Sequence, residues 1–188
     1  DGWHACGPEC CFGALTSGDV ELLEYSYPII IHRYSLMEDS GGAGKFRGGS
    51  GTAWEVEPLN DDMTFITFGE GRRIPAVGAA GAASTIIDTK VGRLDLIKDG
   101  KETTIRENVI EVIKPGDRIT NKNPGGGGYG DPMDRAVESV VWDIRNGLVS
   151  VRGAKEDYGV IISDPATLDV DMGATEALRA KRRAVAAK

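Results

Sequence analysis

Two cationic side chains stand among glycines in the stretch GGAGKFRGG, where Lys45 and Arg47 flank Phe46. Exposed main-chain amides beside two cations suit an anion such as a phosphate or a carboxylate. The stretch is not a P-loop, because that motif places Ser or Thr after Gly-Lys and Phe46 stands there instead. The alternative interpretation is a turn between strands in which Arg47 makes a structural salt bridge.

A second glycine-rich stretch, NPGGGGYGDP, covers residues 123–132. Consecutive glycines allow the main chain to adopt positive φ and to approach another surface closely, and Tyr129 is the one side chain in the run large enough to reach a substrate. Asp131 and Pro132 occupy the start of a predicted helix, which argues against an anion at that position. We predict that five residues of the two stretches line a cavity or face a partner chain: Lys45, Arg47, Gly126, Gly127 and Tyr129.

Potential metal ligands cluster near the start of the chain in the pattern H-x-C-x3-C-C, formed by His4, Cys6, Cys10 and Cys11. Structural zinc sites normally add a second, distant pair of ligands, and His32 is the only other histidine. Because that second pair is missing, the predicted site contains no metal ligand. An independent metal-binding domain that uses His4 and the cysteines remains an alternative. His32 lies in an apolar strand and is interpreted as a structural histidine. Cysteines spaced this closely favour reduced thiols in a cytoplasm.

Carboxylates are scattered over the predicted turns, and the sequence offers no way to choose an acid/base pair among them. The candidates are Asp39, Asp61, Asp62, Glu70 and Asp131. The sequence has neither a G-x-S-x-G elbow nor a dinucleotide-binding fingerprint, so no catalytic residue is identified.

The charge balance bears on several classes of function. The chain of 188 residues has a formal charge of -7, so it has no general attraction to nucleic acid or to an anionic membrane. Its basic segment, RAKRRAVAAK, is interpreted as a solvated terminal helix rather than a binding arm. No apolar run approaches the roughly 20 residues of a membrane span and no secretory leader is recognised. We therefore expect a soluble, cytoplasmic protein of one domain.

The first 122 residues show the patterns of a β-rich body with glycine-rich loops. Strands are predicted for VELLEY, YPIIIHRYSL, TAWEVEPL, MTFITFGE and STIIDT. The apolar run at 29–31 predicts a strand covered on both faces. The alternation in MTFITFGE predicts one buried face, formed by Met63, Phe65, Ile66 and Phe68. Asp99-Gly100 predicts a hairpin between RLDLIK and KETTI, and KPGD predicts a second turn.

Residues 123–188 are predicted to be mainly helical after the glycine-rich loop. The segment DPMDRAVESVVWDIRNG predicts one helix, with Asp131 as its N-cap and Gly147 at its end. A helix over VRGAKEDY ending at Gly159, a strand over GVIIS and a helix over 174–188 follow. The predicted fold is mainly β: a β-sandwich or barrel-like body of short strands over 1–122, with a small α-helical tail over 123–188 in the same compact unit.

The order DSGGAGKFRGG, PGGGGYGDP, a helix, NGLVS, AKEDYGV and ATEALRAKRR resembles the C-terminal part of the hydantoinase B/5-oxoprolinase family. That family includes the large subunits of acetone and acetophenone carboxylases. The resemblance runs from about Asp19 to Arg183, and the cysteine-rich start matches no family motif. It implies a subunit or C-terminal fragment that is not active alone.

The resemblance also implies a hetero-oligomer, in which a hydantoinase B-type chain joins a hydantoinase A-type ATP-binding subunit. Together they phosphorylate a carbonyl or enol oxygen, and then hydrolyse a cyclic amide or carboxylate a ketone. ATP and a divalent metal, Mg or Mn with Zn as an alternative, are expected in the partner chain or in the N-terminal part of a hydantoinase B-type chain, with no cofactor in this chain. The alternative function is a purely structural assembly module of the same complex.

Overall fold

The computed structural model of the chain describes residues 1–2, 19–67, 73–85, 92–105 and 108–186. Within these ranges the α-helices are α1 Val20–Ser26, α2 Val137–Arg145, α3 Val151–Tyr158 and α4 Met172–Ala186. The strands within the same ranges are β1 Ile29–Leu36, β2 Thr52–Pro58, β3 Met63–Ile66, β4 Arg93–Lys98, β5 Lys101–Ile105, β6 Ile110–Ile113, β7 Arg118–Lys122, β8 Ile162–Asp164 and β9 Asp169–Val170. A short 3-10 helix at Pro132–Asp134 precedes α2.

An antiparallel five-stranded sheet in the order β1-β2-β7-β4-β5 forms most of the β body, and β3 pairs with β6 as a separate layer. Successive side chains of a strand point to opposite faces, so alternation gives the large sheet one apolar face. Leu94, Leu96 and Ile119 are buried on that face and pack against Met63 and Phe65 of the small layer. The prediction of a mainly β fold with a small helical tail is confirmed.

Two turns predicted from the sequence set the strand connections. Asp99 and Gly100 join β4 to β5 with φ values of 51° and 74°, as a two-residue hairpin requires. In KPGD, Gly116 has a φ of 93°, and the Asp117 carboxylate accepts a hydrogen bond of 3.0 Å from the amide of Lys114. Both turn predictions are confirmed.

The opposite face of the five-stranded sheet carries polar residues that pair with one another. A row across four strands consists of Glu55, Thr120, Asp95 and Thr104. Asp95 is buried and accepts hydrogen bonds of 2.7 Å from both Arg93 Nε and Thr104 Oγ1. Burial alone would raise the pKa of Asp95, but these donors and the nearby Lys122 together hold it below its usual value.

Two expectations for the start of the β body are wrong. VELLEY is the helix α1 rather than a strand, because the Asp19 carboxylate caps it by accepting hydrogen bonds from the amides of Glu21 and Leu22, at 2.9 and 3.2 Å. β1 is not covered on both faces, because most of its residues are exposed, and it lies at an edge of the five-stranded sheet. A run of isoleucines does not distinguish an edge strand from a central one.

The small layer has two apolar faces. Met63 and Phe65 point to the core as predicted, whereas Ile66 points outward and is exposed, so its assignment to the buried face is wrong. Ile66 pairs with Ile110, and Val112 lies two residues along the same strand on the same outer side. Phe68 and most of STIIDT lie outside the described residues. We call the side chains of Ile66, Ile110 and Val112 the outer face of the small layer.

The predicted single helix over 131–147 is two elements. The Asp131 carboxylate caps the first, accepting a 2.8 Å hydrogen bond from the amide of Met133 as predicted. Arg135 and Ala136 then have ψ values of 132° and 136°, which are extended, so α2 begins only at Val137. This break turns the Arg135 side chain into the interior, and the ion pairs made there override local helix propensity.

The helical tail has its own small core, and α4 is tied to it by arginines. Buried residues of that core include Val140, Val149, Ala154 and Val160. Arg179 Nε donates a hydrogen bond of 2.9 Å to the carbonyl oxygen of Tyr158, and Arg183 Nη2 one of 2.9 Å to that of Met133. The basic segment is therefore a terminal helix whose arginines contact this chain. None of the helices within the described ranges is long and apolar enough to cross a membrane.

Candidate functional site

Three segments far apart in sequence form one layer, which we call the glycine cage: residues 39–51, 76–85 and 123–131. Phe46 and Tyr129 each donate a main-chain hydrogen bond of 2.9 Å to the carbonyl oxygen of the other. The middle segment joins through Ala79, whose amide donates at 3.0 Å to the carbonyl oxygen of Gly128. Main-chain hydrogen bonds thus hold both glycine-rich stretches of the sequence in a fixed arrangement.

Glycine is required in the cage because neighbouring main chain occupies the space of a side chain. A Cβ at Gly48 would lie 2.1 Å from the carbonyl oxygen of Gly126, and a Cβ at Gly127 would lie 2.2 Å from that of Val77. Gly126 differs, since its Cβ would stand at an ordinary 3.5 Å from the amide nitrogen of Gly49. The surface that these glycines approach is therefore this chain's own.

Several glycine amides of the cage point into the cage. Gly42 donates to the carbonyl oxygen of Gly126 at 2.8 Å, and Gly126 donates to that of Gly49 at 2.9 Å. Gly128 donates to the carbonyl oxygen of Ala83 at 3.2 Å. Amides engaged in this way are not free to bind the oxygens of a phosphate, which a P-loop does with outward-pointing amides. The arrangement does not fit a triphosphate cradle.

The exposed edge of the cage carries one cation and two aromatic rings. The ring centroids of Phe46 and Tyr129 are 6.4 Å apart, and Lys45 Nζ lies 5.8 Å from the centroid of the Phe46 ring. About half of each aromatic side chain is exposed. Lys45 and Tyr129 can therefore reach a ligand or a partner chain, and their role there stays a prediction.

Arg47 points away from that edge and into the interior. Its side chain is 2% exposed, with Nε 3.3 Å from Oδ1 of Asp143 and Nη1 donating a 2.7 Å hydrogen bond to the carbonyl oxygen of Gly48. Asp143 has no exposed surface, and its Oδ2 accepts a 2.7 Å hydrogen bond from Nη2 of Arg135. This geometry is the structural salt bridge of the alternative interpretation of Arg47.

The buried arginine cluster of Arg47, Arg135 and Asp143 is not foreseen from the sequence. One pattern indicates it: Asp143 lies three residues after the buried Val140, on the core-facing side of α2, where a carboxylate needs a cation beside it. The Tyr158 ring lies 5.8 Å from the Arg135 guanidinium carbon. Burial raises the pKa of the Tyr158 phenol far above its usual value, so this ring contributes no charge to the cluster.

His32 lies on the polar face of the large sheet rather than among apolar residues. Its Nε2 is 2.7 Å from Oε2 of Glu57, which also accepts a 3.1 Å hydrogen bond from Nε of Arg118. The contact with His32, followed by that with Arg118, lowers the pKa of Glu57. The described residues place no nucleophile in this group.

Two of the scattered carboxylates, Asp39 and Asp131, have structural partners. Asp39 Oδ1 accepts a 2.8 Å hydrogen bond from the amide of Ser150, and Asp131 caps the 3-10 helix. In the described part of the chain, no three His, Cys, Asp or Glu side chains are placed so that they could hold a metal ion. Several sequence candidates lie outside the described residues: His4, Cys6, Cys10, Cys11 and Glu70.

Comparison with known proteins gives consistent matches. Residues 1–132 match the family model for Hydantoinase B/oxoprolinase. Caprolactamase subunit beta of Pseudomonas jessenii is 58% identical over 181 residues, which are 96% of this chain and 31% of that subunit. The crystal structure of the ATP-dependent caprolactamase from P. jessenii superposes with a TM-score of 0.81 at 55% identity, covering 96% of this chain and 31% of that one.

A more distant structure shares the same fold. The nucleotide-free structure of acetone carboxylase superposes with a TM-score of 0.74 at 27% identity, covering 93% of this chain and 27% of that one. This chain therefore spans less than a third of the length of the caprolactamase and carboxylase chains that it matches.

Proposed function

Because this chain belongs to the hydantoinase B/oxoprolinase family, we propose that it forms the glycine-rich part of a hydantoinase B-type subunit in an ATP-dependent enzyme that opens cyclic amides. The observation that carries the proposal is the 58% identity to caprolactamase subunit beta, which extends over 96% of the chain. The resemblance drawn from the glycine-rich stretches is confirmed at the level of the family.

Sequence similarity favours amide hydrolysis over ketone carboxylation. The superposition on caprolactamase has 55% identity, whereas that on acetone carboxylase has 27%, although the chain covers both structures to a similar extent. A shared fold supports many reactions, so the fold alone does not separate the two. The higher identity to caprolactamase supports the proposal that a lactam is the substrate class.

The glycine cage supplies a rigid wall rather than a nucleotide site. Several of its glycine amides donate to its own carbonyls, and the described residues bring no three His, Cys, Asp or Glu side chains together to hold a metal ion. We therefore assign ATP and a divalent metal, Mg or Mn with Zn as an alternative, to a hydantoinase A-type partner and to the N-terminal part of a hydantoinase B-type chain. The ATP requirement also favours a cytoplasmic location.

Phosphorylation of the amide oxygen would turn a poor electrophile into a reactive one. Water then adds to the activated carbon and the ring C–N bond breaks, which leaves an acyl phosphate. A second water hydrolyses the acyl phosphate to the amino carboxylate and inorganic phosphate, and ADP is the other product of ATP. The contribution of this chain is to position and enclose the substrate, with Lys45 and Tyr129 at the exposed edge of the cage as the contacting side chains.

The outer face of the small layer supports a place in a larger assembly. Ile66, Ile110 and Val112 are between 49% and 72% exposed there, so the two-stranded layer is apolar on both sides. An exposed apolar patch on a sheet commonly marks a surface that another chain covers. The far face of the five-stranded sheet, by contrast, is polar and pairs its charges internally, as a solvated face does.

The test is to purify the complex that contains this chain and to measure release of inorganic phosphate from ATP. We expect caprolactam or 5-oxoproline to stimulate phosphate release, and acetone with bicarbonate to leave it unchanged. The isolated chain, as a matched control, should show neither activity. Stimulation by the ketone with bicarbonate and not by a lactam would overturn the assignment of the reaction, and turnover by the isolated chain would overturn the need for partners.

A further inference from the structure

Asp1 binds to the buried arginine cluster in the way that a carboxylate ligand binds to a receptor. Its Oδ1 accepts hydrogen bonds from Nη1 of Arg135 at 2.6 Å and from the amide of Arg47 at 2.9 Å. Its Oδ2 accepts one from Nη2 of Arg135 at 2.8 Å. A guanidinium that donates to both oxygens of a carboxylate is a strong and geometrically specific contact.

The charge of the cluster requires this carboxylate. The guanidiniums of Arg47 and Arg135 are 2% and 3% exposed, and among the described residues Asp143 is the one buried carboxylate that both contact. Without Asp1, the interior would hold two cations and one anion. An uncompensated buried charge is costly, so a second anion is needed at the position of the Asp1 carboxylate.

The position is open to solvent on one side. The Asp1 side chain is 36% exposed, while the Arg135 side chain behind it is almost fully buried. The residue after the carboxylate is held as well: Gly2 donates a 2.7 Å hydrogen bond to the carbonyl oxygen of Arg47, and a Cβ at Gly2 would lie 2.4 Å from the amide nitrogen of Gly49. The site therefore accommodates an Asp-Gly pair and opens outward.

We infer that Arg135 and the main-chain amide of Arg47 form a carboxylate-binding site at the base of the glycine cage, which the chain's own Asp1 fills. Removal of the Asp1 carboxylate leaves a preformed receptor for a small monocarboxylate.

The experiment is chemical rescue of Asp1→Ala, with formate as the probe because it replaces the carboxylate that the substitution removes. In sodium chloride we expect the melting temperature of Asp1→Ala to fall by about 5 °C relative to the wild type, because charge-assisted hydrogen bonds are lost. Sodium formate at equal concentration should restore at least half of that fall. Asp1→Gly removes one more carbon, so acetate should rescue it better than formate does.

Two controls identify the site. Asp1→Asn keeps the side chain in place, so formate should leave its melting temperature unchanged. Adding Arg135→Lys to Asp1→Ala removes the two-pronged donor, so rescue should be lost. Where Asp1→Ala does not fold in chloride, formate should restore its circular dichroism. The inference is overturned if formate and chloride give equal melting temperatures, if Asp1→Ala is as stable as the wild type, or if rescue survives Arg135→Lys.

Discussion

Phe46 and Tyr129 exchange main-chain hydrogen bonds in both directions, each 2.9 Å long, and so join two glycine-rich stretches into one layer. The same pairing presents both rings at the edge of the layer, with their centroids 6.4 Å apart. Exposed aromatic rings on a rigid main chain suit a binding surface, because little conformational entropy is lost when a partner binds.

The fit of the cage is tested by two adjacent glycines. Gly127→Ala should destabilise the chain by about 1 to 3 kcal/mol, since its Cβ would lie 2.2 Å from a main-chain oxygen that cannot move alone. Gly126→Ala is the matched control, and should stay within about 0.5 kcal/mol of the wild type because its Cβ has room. The measurement is the free energy of unfolding in denaturant, and equal losses in the two variants would contradict the geometry.

The exposed edge of the cage is tested by Tyr129→Ala in the assembled complex. We expect kcat/KM for the lactam to fall about tenfold, equivalent to roughly 1.4 kcal/mol of lost transition-state binding, with an unchanged melting temperature because the ring is largely exposed. Tyr25→Ala, at an even more exposed tyrosine on α1, should retain full activity. Dissociation of the complex on Tyr129→Ala would instead favour the alternative function, a structural assembly module.

Acid should weaken the polar face of the large sheet through Asp95. Since the pKa of Asp95 is lower in the folded chain than in the unfolded one, its stabilising effect is present above the unfolded pKa, near 3.9, and is lost as the pH falls through the folded value. Asp95→Asn should lower the free energy of unfolding by about 1.5 to 3 kcal/mol at neutral pH. The difference from the wild type should become smaller below about pH 4.

The control substitution is at the exposed Asp62. The free energy of unfolding of Asp62→Asn should stay within about 0.5 kcal/mol of the wild-type value at neutral pH, because the side chain is on the surface. If the free energies of unfolding of Asp95→Asn and the wild type differ by a constant amount between pH 7 and pH 2, the charge of Asp95 does not stabilise the fold.

The outer face of the small layer is tested by Val112→Glu. A charge on this apolar face should weaken assembly with the partner chains at least tenfold, while the melting temperature of the chain alone stays close to the wild-type value because Val112 is half exposed. Thr103→Glu, at an exposed position of β5, should assemble normally. Size-exclusion chromatography of the complex reports both, and normal assembly of Val112→Glu would place the contact elsewhere.

Local sequence patterns predicted much of the fold. The Asp99-Gly100 hairpin, the Asp131 cap and the helix end at Gly159 follow from turn and cap chemistry, which depends on a few neighbouring residues. One failure was a local signal that was misread: VELLEY has strand-forming residues but is a helix, capped by Asp19 directly before it. The other failure arose because distant partners decide, since β1 lies at a sheet edge that no local pattern specifies.

The candidate site was predicted only in part, because its contacts join residues that are far apart in the sequence. Glycine runs predict that the main chain lies close to another surface. They do not predict that this surface is the other glycine-rich stretch. The buried contacts of Arg135 join it to Asp1, which is 134 positions away, and to Asp143. Such long-range ion pairs leave no periodic pattern, so a charged residue in an apolar helical stripe is the one indication of them.

The most direct test of the account is a chimera, in which this chain replaces the matching part of caprolactamase subunit beta from P. jessenii. That part is 31% of the subunit and is 58% identical to this chain. We expect the chimera to assemble and to retain caprolactam-dependent phosphate release from ATP, within about tenfold of the parent enzyme. A chimera that assembles fully but shows no caprolactam-dependent phosphate release would contradict the claim that this chain is part of a cyclic amide hydrolase.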